Sequence, residues 1–454
     1  MTATRRTFIG GALALAAWPT AAAESCAESS AVALPWETPD GMATDSVMVR
    51  RLYLDLAGRI PTKAEAQAYV FGQKPDRRKT LVERLLASDD FADYWAMRFC
   101  DALRVKSEFP INLWPNAVYV YHGRIRRFVK HNGSWESFGR ALLTAQGSDF
   151  RDAAVNFFRA TDRRTPEGWA EATAQTFLGI APTKLAPERR SALAAYFANV
   201  KIKNTREWKE EIVYVDGQDR RGELCDRLFV DSRAEVAAAF RRRLRGWLFG
   251  PGSESGAGGG TLRIKDAIRE IVLSDEYARG SVTGGFPVRR LDAEVLDDAF
   301  CSFGGTARSY FSPAPEPFSF LPPSRRTVCI EDGSISNGFL TLFGRPTRDT
   351  GLPSERGNDV TAKQRLYLFN SGRLARQIDS LVKAGGKKTD GGKAPGFQER
   401  IEDLYWRILS RAPTAREIGF FKDERKKRGK RGAADIPREL AWCLVNTKEF
   451  LFRI

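Results

Sequence analysis

Apolar residues recur along most of this chain with the spacing of amphipathic helices. Near the C-terminus, Ile401, Leu404, Tyr405, Ile408 and Leu409 fall at i, i+3, i+4, i+7 and i+8, which lines one face of a 3.6-residue helix. After Ser232, the residues Val236, Phe240, Leu244 and Trp247 share a face, with Arg241, Arg242, Arg243 and Arg245 mostly off it. Start signals agree with this periodicity. Thr62 and Glu65, just beyond Pro61, make a capping box. Thr165-Pro166-Glu167 supplies an N-cap, an N1 proline and an early acid for a helix running to Leu178. One β-like run, Glu211 to Val215, leads into Asp216-Gly217, where a hairpin turn is expected. Residues 250–260 and 385–396 have the Gly-rich composition of loops, and 311–326 is irregular, rich in Pro and aromatics. The pattern predicts a mainly α protein of two helical domains, with helical-hairpin repeats, a minor β-hairpin and long irregular loops. The domains are expected over 44–200 and 231–454, joined by a β-hairpin connector at 201–230.

A repeat supports the hairpins. Leu52-Tyr53 followed by Gly58-Arg59-Ile60-Pro61-Thr62-Lys63-Ala64-Glu65 matches Leu404-Tyr405 followed by Ser410-Arg411-Ala412-Pro413-Thr414-Ala415-Arg416-Glu417. A second signature, hydroxyl-x-acid-aromatic, occurs at Ser88-Asp89-Asp90-Phe91, Ser274-Asp275-Glu276-Tyr277 and Thr447-Lys448-Glu449-Phe450. Each describes a hydroxyl cap with acids at a helix start. Copies this far apart point to construction rather than chemistry.

The first residues look different. Arg5-Arg6-Thr7-Phe8-Ile9, a mild apolar run and the small residues ending at Ala23 have the form of a twin-arginine export signal, cleaved after Ala23. Residues 24–43 are Ser/Ala/Pro-rich and are expected to be a linker. No run of 18 apolar residues occurs, so no transmembrane helix is expected. The expected location is extracytoplasmic, in the periplasm. Export changes the meaning of charge. The chain carries 72 Lys+Arg against 56 Asp+Glu, a net +16. In the cytoplasm that balance would raise nucleic acid as a partner; outside it, anionic polysaccharide is the more available polyanion. Of the basic residues 52 are Arg, the side chain suited to bidentate oxyanion recognition. The six cysteines form no C-x-x-C, and the two histidines, His122 and His131, read as surface residues. Neither a metal site nor a cofactor is expected.

These residues resemble a pair of bacterial families, the Planctomycete cytochrome-associated domains of unknown function 1549 and 1553. The first is carried by Arg51-Leu52-Tyr53-Leu54-Asp55-Leu56, by Leu81 through Ser88, by Trp95 with Asp101 and Arg104, and by Glu171 through Gly179. The second is carried by Arg289-Arg290-Leu291-Asp292-Ala293-Glu294, by Phe343 through Thr350, and by Asn446-Thr447-Lys448-Glu449-Phe450. The resemblance implies an electron-transfer setting, because members of the first family commonly carry C-x-x-C-H after Phe-Leu-Gly. Here Phe177-Leu178-Gly179 runs directly into Ile180-Ala181-Pro182. The segment is absent.

The leading candidate site is the 343–356 loop, where Arg345, Arg348 and Arg356 stand among Gly344, Pro346, Gly351 and Pro353. Such a loop can present a rigid fork to an oxyanion, or its arginines can be neutralised by Asp349 and Glu355. Asp101 and Arg104, three apart on a helix, are expected to pair, with a general-acid role for Asp101 as the alternative. Glu294, Asp297 and Asp298 form either a solvated acidic face or oxygen ligands for a hard cation. Together these features predict an exported protein that binds another exported protein or an anionic glycan. The alternatives are an enzyme acting on a polyanionic saccharide and a haem-less relative of an electron-transfer protein. Because a twin-arginine signal is read as an address rather than as bulk charge, replacing Arg5 and Arg6 together by Lys is expected to strand precursor in the cytoplasm. Fractionation checks this, and undiminished export would point to the general secretory route.

Overall fold

The pairing of caps with apolar stripes produces helices throughout the computed structural model, which describes residues 37–250, 261–304, 308–315, 318–386 and 394–454. The protein is mainly α. The export signal, with Arg5, Arg6, Phe8 and Ala23, and most of both Gly-rich segments lie outside the described residues. Among those residues no helix is long and apolar enough to cross a membrane.

Among the described residues, β structure amounts to two small sheets and a few isolated bridges. Val200–Asn204 pairs antiparallel with Glu211–Val215, and Gly147–Ser148 adds to the other edge of Glu211–Val215. The hairpin is present, but its turn lies at 205–210 rather than at Asp216-Gly217. The register Val200↔Val215 and Asn204↔Glu211 makes Asp216 the exit from the strand. Its first strand carries a weak sequence signal, because Lys201, Lys203 and Asn204 leave only Val200 and Ile202 as apolar positions. The second sheet pairs Arg289–Arg290 with Phe452–Arg453. The expected linker also ends early. Glu37 is buried, and its carboxylate accepts from the amides of Val282, Thr283 and Gly284 at 2.8–3.0 Å. Residues 37–43 are therefore docked on the 278–284 segment.

The repeat has a physical basis. Arg59 donates to both oxygens of Glu65 at 2.8 Å and to Asp90 at 2.7 Å. Arg411 donates to Glu417 at 2.9 and 3.0 Å and to Glu449 at 2.6 and 3.1 Å. In each copy the capping-box glutamate also accepts from the backbone amide of its threonine, Thr62 or Thr414. The guanidinium lies 4.8 Å from the Tyr53 ring centre in one copy and 5.0 Å from Tyr405 in the other. The preceding residue is left-handed in both, Gly58 at φ 57° and Ser410 at φ 62°. At Gly58 a Cβ would stand 2.4 Å from Tyr94 Cδ2, so the position tolerates only glycine. Ser88, Ser274 and Thr447 all cap as expected, accepting from the amides of Phe91, Tyr277 and Phe450.

The two copies pack together, and one apolar core runs through both halves of the sequence. Lys63 meets Asp403 at 2.8 Å. Arg50, on the Asp45–Leu52 helix, donates to the carbonyls of Ile408 and Phe450. Asp55 receives Tyr277 Oη at 2.8 Å and Arg453 at 2.7 Å. These contacts join the start of the described chain to its end.

The two clasps differ in burial, and stability should follow. Arg411→Ala is expected to cost about 3–5 kcal/mol, because it leaves Glu417 and Glu449 unneutralised in an almost closed site. Arg59→Ala, in a clasp about a quarter exposed, is expected to cost about 1–2 kcal/mol. Burial opposes ionisation of Glu65, but hydrogen bonds from Arg59 and Thr62 prevail and hold its pKa down to about 2. Its contribution is therefore complete above the ordinary 4.5 and is lost as pH falls towards 2. Urea denaturation across pH measures both effects, and equal losses for the two arginines would refute the burial argument.

Candidate functional site

The 343–356 loop does gather its arginines, though not around Asp349 and Glu355. Arg348 donates through Nε to Asp101 Oδ1 at 2.9 Å. Arg356 donates to Asp101 Oδ2 at 2.6 Å and to Glu294 at 2.7 and 3.1 Å. Arg345 lies 3.4 Å from Glu294 Oε1 and gives its other nitrogens to the carbonyls of Ile335 and Asp332. Arg98, bonded to Asp292, extends the cluster. Arg290 closes the loop base by donating to the carbonyls of Phe343 and Gly357 at 2.8 and 2.7 Å.

Burial defines what this cluster can do. Glu294 is 0% exposed and Arg348 1%. Burial works against ionisation of Asp101, but Arg356 and Arg348 outweigh it and hold the carboxyl below its usual range. Burial pushes Arg345 down to about 10, with Arg348 adding repulsion. The carboxylates of the chain thus already occupy the position an external oxyanion would take. The sequence candidates Asp101, Glu294, Arg345, Arg348 and Arg356 meet in one enclosed ionic knot.

Other candidates lie elsewhere. Glu355 accepts from the Thr350 amide and hydroxyl at 2.5 and 2.7 Å, and Asp349 pairs with Lys106. The expected Asp101–Arg104 pair does not form. Arg104 sits past the helix end at φ 55° and donates to the Ala160 carbonyl and to Gln175. The acidic face is not solvated either. Asp298 accepts from the Thr327 amide and Arg308, both at 2.7 Å, and Asp297 from Thr327 Oγ1 at 2.8 Å. These acids are buried with arginines, and no group of three potential metal ligands occurs among the described residues.

An open site among the described residues is a groove of about 700 Å3 along the Pro115–Lys130 helix, facing residues 141–154 and 325–331. Its lining includes Tyr119, Gly123, Arg124, Arg127, Arg151 and Arg325. Arg325 is engaged by Glu331, and Arg126 by Asp89 and Asp93. Among the described residues neither Arg124 nor Arg127 has a carboxylate partner. Arg124 lies over the Phe138 ring at 5.8 Å and buries an unbonded Nε, and burial pulls its pKa down. Arg127 is exposed. A Cβ on Gly123 would meet nothing within 4 Å, so packing does not explain a glycine in mid-helix. Its effect is to leave the floor of the groove open. His122, expected at the surface, is buried beneath this wall, and burial with Arg348 and Arg325 nearby pushes its pKa down to about 3. It is neutral. The sequence offered one signal for the groove, Arg124-Ile125-Arg126-Arg127, but not which of these arginines lacks an acid.

The fold and the knot define a mainly α protein in which an N-terminal and a C-terminal region share buried ion pairs. A family model described as a protein of unknown function, DUF1549, matches residues 36–216. A second, described as a protein of unknown function, DUF1553, matches residues 259–423. The chain thus carries a segment matching each family, in that order. No curated protein and no solved structure matches it.

A sealed knot should report on folding. Arg356→Ala is expected to cost about 3–5 kcal/mol by leaving Asp101 and Glu294 buried without a cation. Arg356→Lys should not restore the loss, since an ammonium cannot span both carboxylates. Because the folded pKa of Asp101 is depressed, its contribution is complete above about pH 4 and lost as pH falls below that. Denaturation midpoints of these variants between pH 3 and 7 check the assignment; an unchanged midpoint for Arg356→Ala would reject it.

Proposed function

We propose that this protein is exported to the periplasm and there binds an anionic polymer, a sulfated or carboxylated glycan, without chemically altering it. The observation that carries this reading is the pair of acid-free arginines, Arg124 and Arg127, beside the open floor at Gly123. Guanidinium groups match carboxylate and sulfate oxygens with paired donors. A groove of about 700 Å3 with two such groups has more room than a small ion needs and suits a segment of a polyanion.

An enzyme hydrolysing such a polymer would need a pair of acids flanking the scissile bond, and of the two acids lining the groove, Asp152 and Glu331, the second is engaged by Arg325. Asp101 and Glu294 do come together from distant parts of the chain, but each is held by arginine inside the sealed knot. The thiols give no better support. Burial pushes Cys100 and Cys329 up to about 12, leaving both protonated.

Titration with a sulfated polysaccharide at low salt tests the proposal. Arg124→Ala and Arg127→Ala are each expected to weaken binding about tenfold, as loss of one charge-assisted contact implies. Added salt should weaken the wild type more than either variant. Gly123→Leu supplies a control that changes no charge. It should fold at least as well as the wild type, since glycine costs about 1 kcal/mol in a helix interior, while its side chain fills the floor and abolishes binding. Retained binding in Gly123→Leu would place the polymer elsewhere.

A further inference from the structure

Beside the groove stands an aromatic surface that the packing of the fold does not require. Trp208 is 65% exposed, and its ring meets that of Trp114 edge to face at 4.6 Å. Phe318, 45% exposed, contacts the same Trp114 ring at 5.6 Å. Trp114 itself is nearly covered, so it supports the other two rings from behind. Lys209 Nζ lies 5.6 Å from the Trp114 ring centre and 5.9 Å from that of Trp208.

Two of these residues sit on costly backbone. Trp114 has φ 69° and Lys209 φ 66°, a left-handed region that costs a side-chain-bearing residue on the order of 1–3 kcal/mol. Neither is a loose end. Trp114 is the N-cap of the groove helix, and its amide donates to Ser107 O at 3.2 Å. The 205–210 turn is braced by Glu210, which accepts from Ser148 Oγ at 2.5 Å and Thr205 Oγ1 at 2.8 Å. Strain and bracing are thus spent on holding an indole in water, where its burial would otherwise be favourable.

Arg151 links the surface to the groove. It lines the groove and lies 3.7 Å from Glu207 and 3.9 Å from Glu210, the residues flanking Trp208 and Lys209. We infer that Trp208, supported by Trp114 and flanked by Phe318 and Lys209, is a stacking subsite for a sugar ring of the anionic polysaccharide whose charged groups lie against Arg124 and Arg127. This rests on the binding function proposed above. A pyranose presents an apolar face of C–H bonds with hydroxyls around its edge. A few rigid, exposed aromatic rings with a lysine and acids at the margin match that shape. A protein partner requires on the order of 800 Å2 on each side, far more than these rings offer.

The test compares two polyanions, one with sugar rings and one without. Wild type and Trp208→Ala are titrated with a sulfated polysaccharide and with inorganic polyphosphate at the same ionic strength. Wild type should bind both, and Trp208→Ala should bind the polysaccharide about tenfold more weakly while binding polyphosphate unchanged. Trp208→Phe should recover part of the loss. Phe318→Ala, on a different segment, repeats the test should Trp208→Ala fail to fold. A loss of equal size for both polymers, or for neither, would overturn the stacking subsite and leave the groove standing. Failure of wild type to bind either polymer would instead remove the groove reading, and this inference with it. A change in self-association in Trp208→Ala without a change in polysaccharide affinity would assign the rings to a protein contact and also overturn it.

Discussion

A guanidinium group taken out of water must be answered by carboxylates or carbonyls inside the protein, and that demand fixes how this chain is assembled. Arg356 is the clearest case. One of its partners, Asp101, lies in the segment matched by DUF1549, and the other, Glu294, in the segment matched by DUF1553. The joint between the two regions is therefore ionic and directional rather than merely greasy. Buried pairs of this kind add little net stability compared with apolar packing of equal volume. They penalise wrong arrangements, because any displacement of one region strands charges that nothing else can neutralise. Arg290, donating to the carbonyls of Phe343 and Gly357, applies the same rule to the loop that carries Arg345 and Arg348.

The same chemistry joins the ends. Arg51 donates to the carbonyls of Tyr277, Arg279 and Ile454, and Asp55 binds Arg453. With Arg50 reaching Ile408 and Phe450, the Asp45–Leu52 helix is built as much into the C-terminal repeat as into its own. Similar clasps at Arg59 and Arg411 then make the repeat units two versions of one device. Its requirements are a left-handed residue, an arginine, a threonine cap and two acids.

What could be read from the sequence follows from how local each interaction is. Caps at Thr62, Ser88, Thr165, Ser274 and Thr447 need only three or four neighbouring residues, so their helices were legible, as was the repeat that they punctuate. The groups of the knot were named, but not its pairings. Arg356 meets Glu294 across 62 residues and Asp101 across 255, distances at which no periodicity survives. For the same reason Glu294, Asp297 and Asp298 could be read as a solvated face or a cation site but not as a buried cluster, because charged residues in a helix look exposed until their arginines are known. His122 misled in the opposite sense, for its Lys and Arg neighbours suggested surface while the ring points inward. The groove and the aromatic surface were illegible for a further reason. A groove arginine is distinguished by the acid it lacks, and Trp208 matters through a ring 94 residues away at Trp114.

The knot and the groove are connected through the chain between them. Past Asp101 the backbone turns at Arg104, and the following segment is stapled to residues 331–336. Val105 O accepts from Arg348 and from the Gly333 amide, and the amides of Ser107 and Glu108 donate to Asp332 and Ser334. Arg159 then holds the Leu113 carbonyl, and Trp114 opens the groove helix. The segment is irregular and twice more left-handed, at Asn112 and Trp114. Left to itself, such a segment would sample many conformations and spread the position of the helix that follows. Held at Val105, Ser107, Glu108 and Leu113, it delivers Trp114 to one place. The buried arginines that resembled a binding site thus have a positioning role: they set the start of the helix that carries Gly123, Arg124 and Arg127, and the ring against which Trp208 rests.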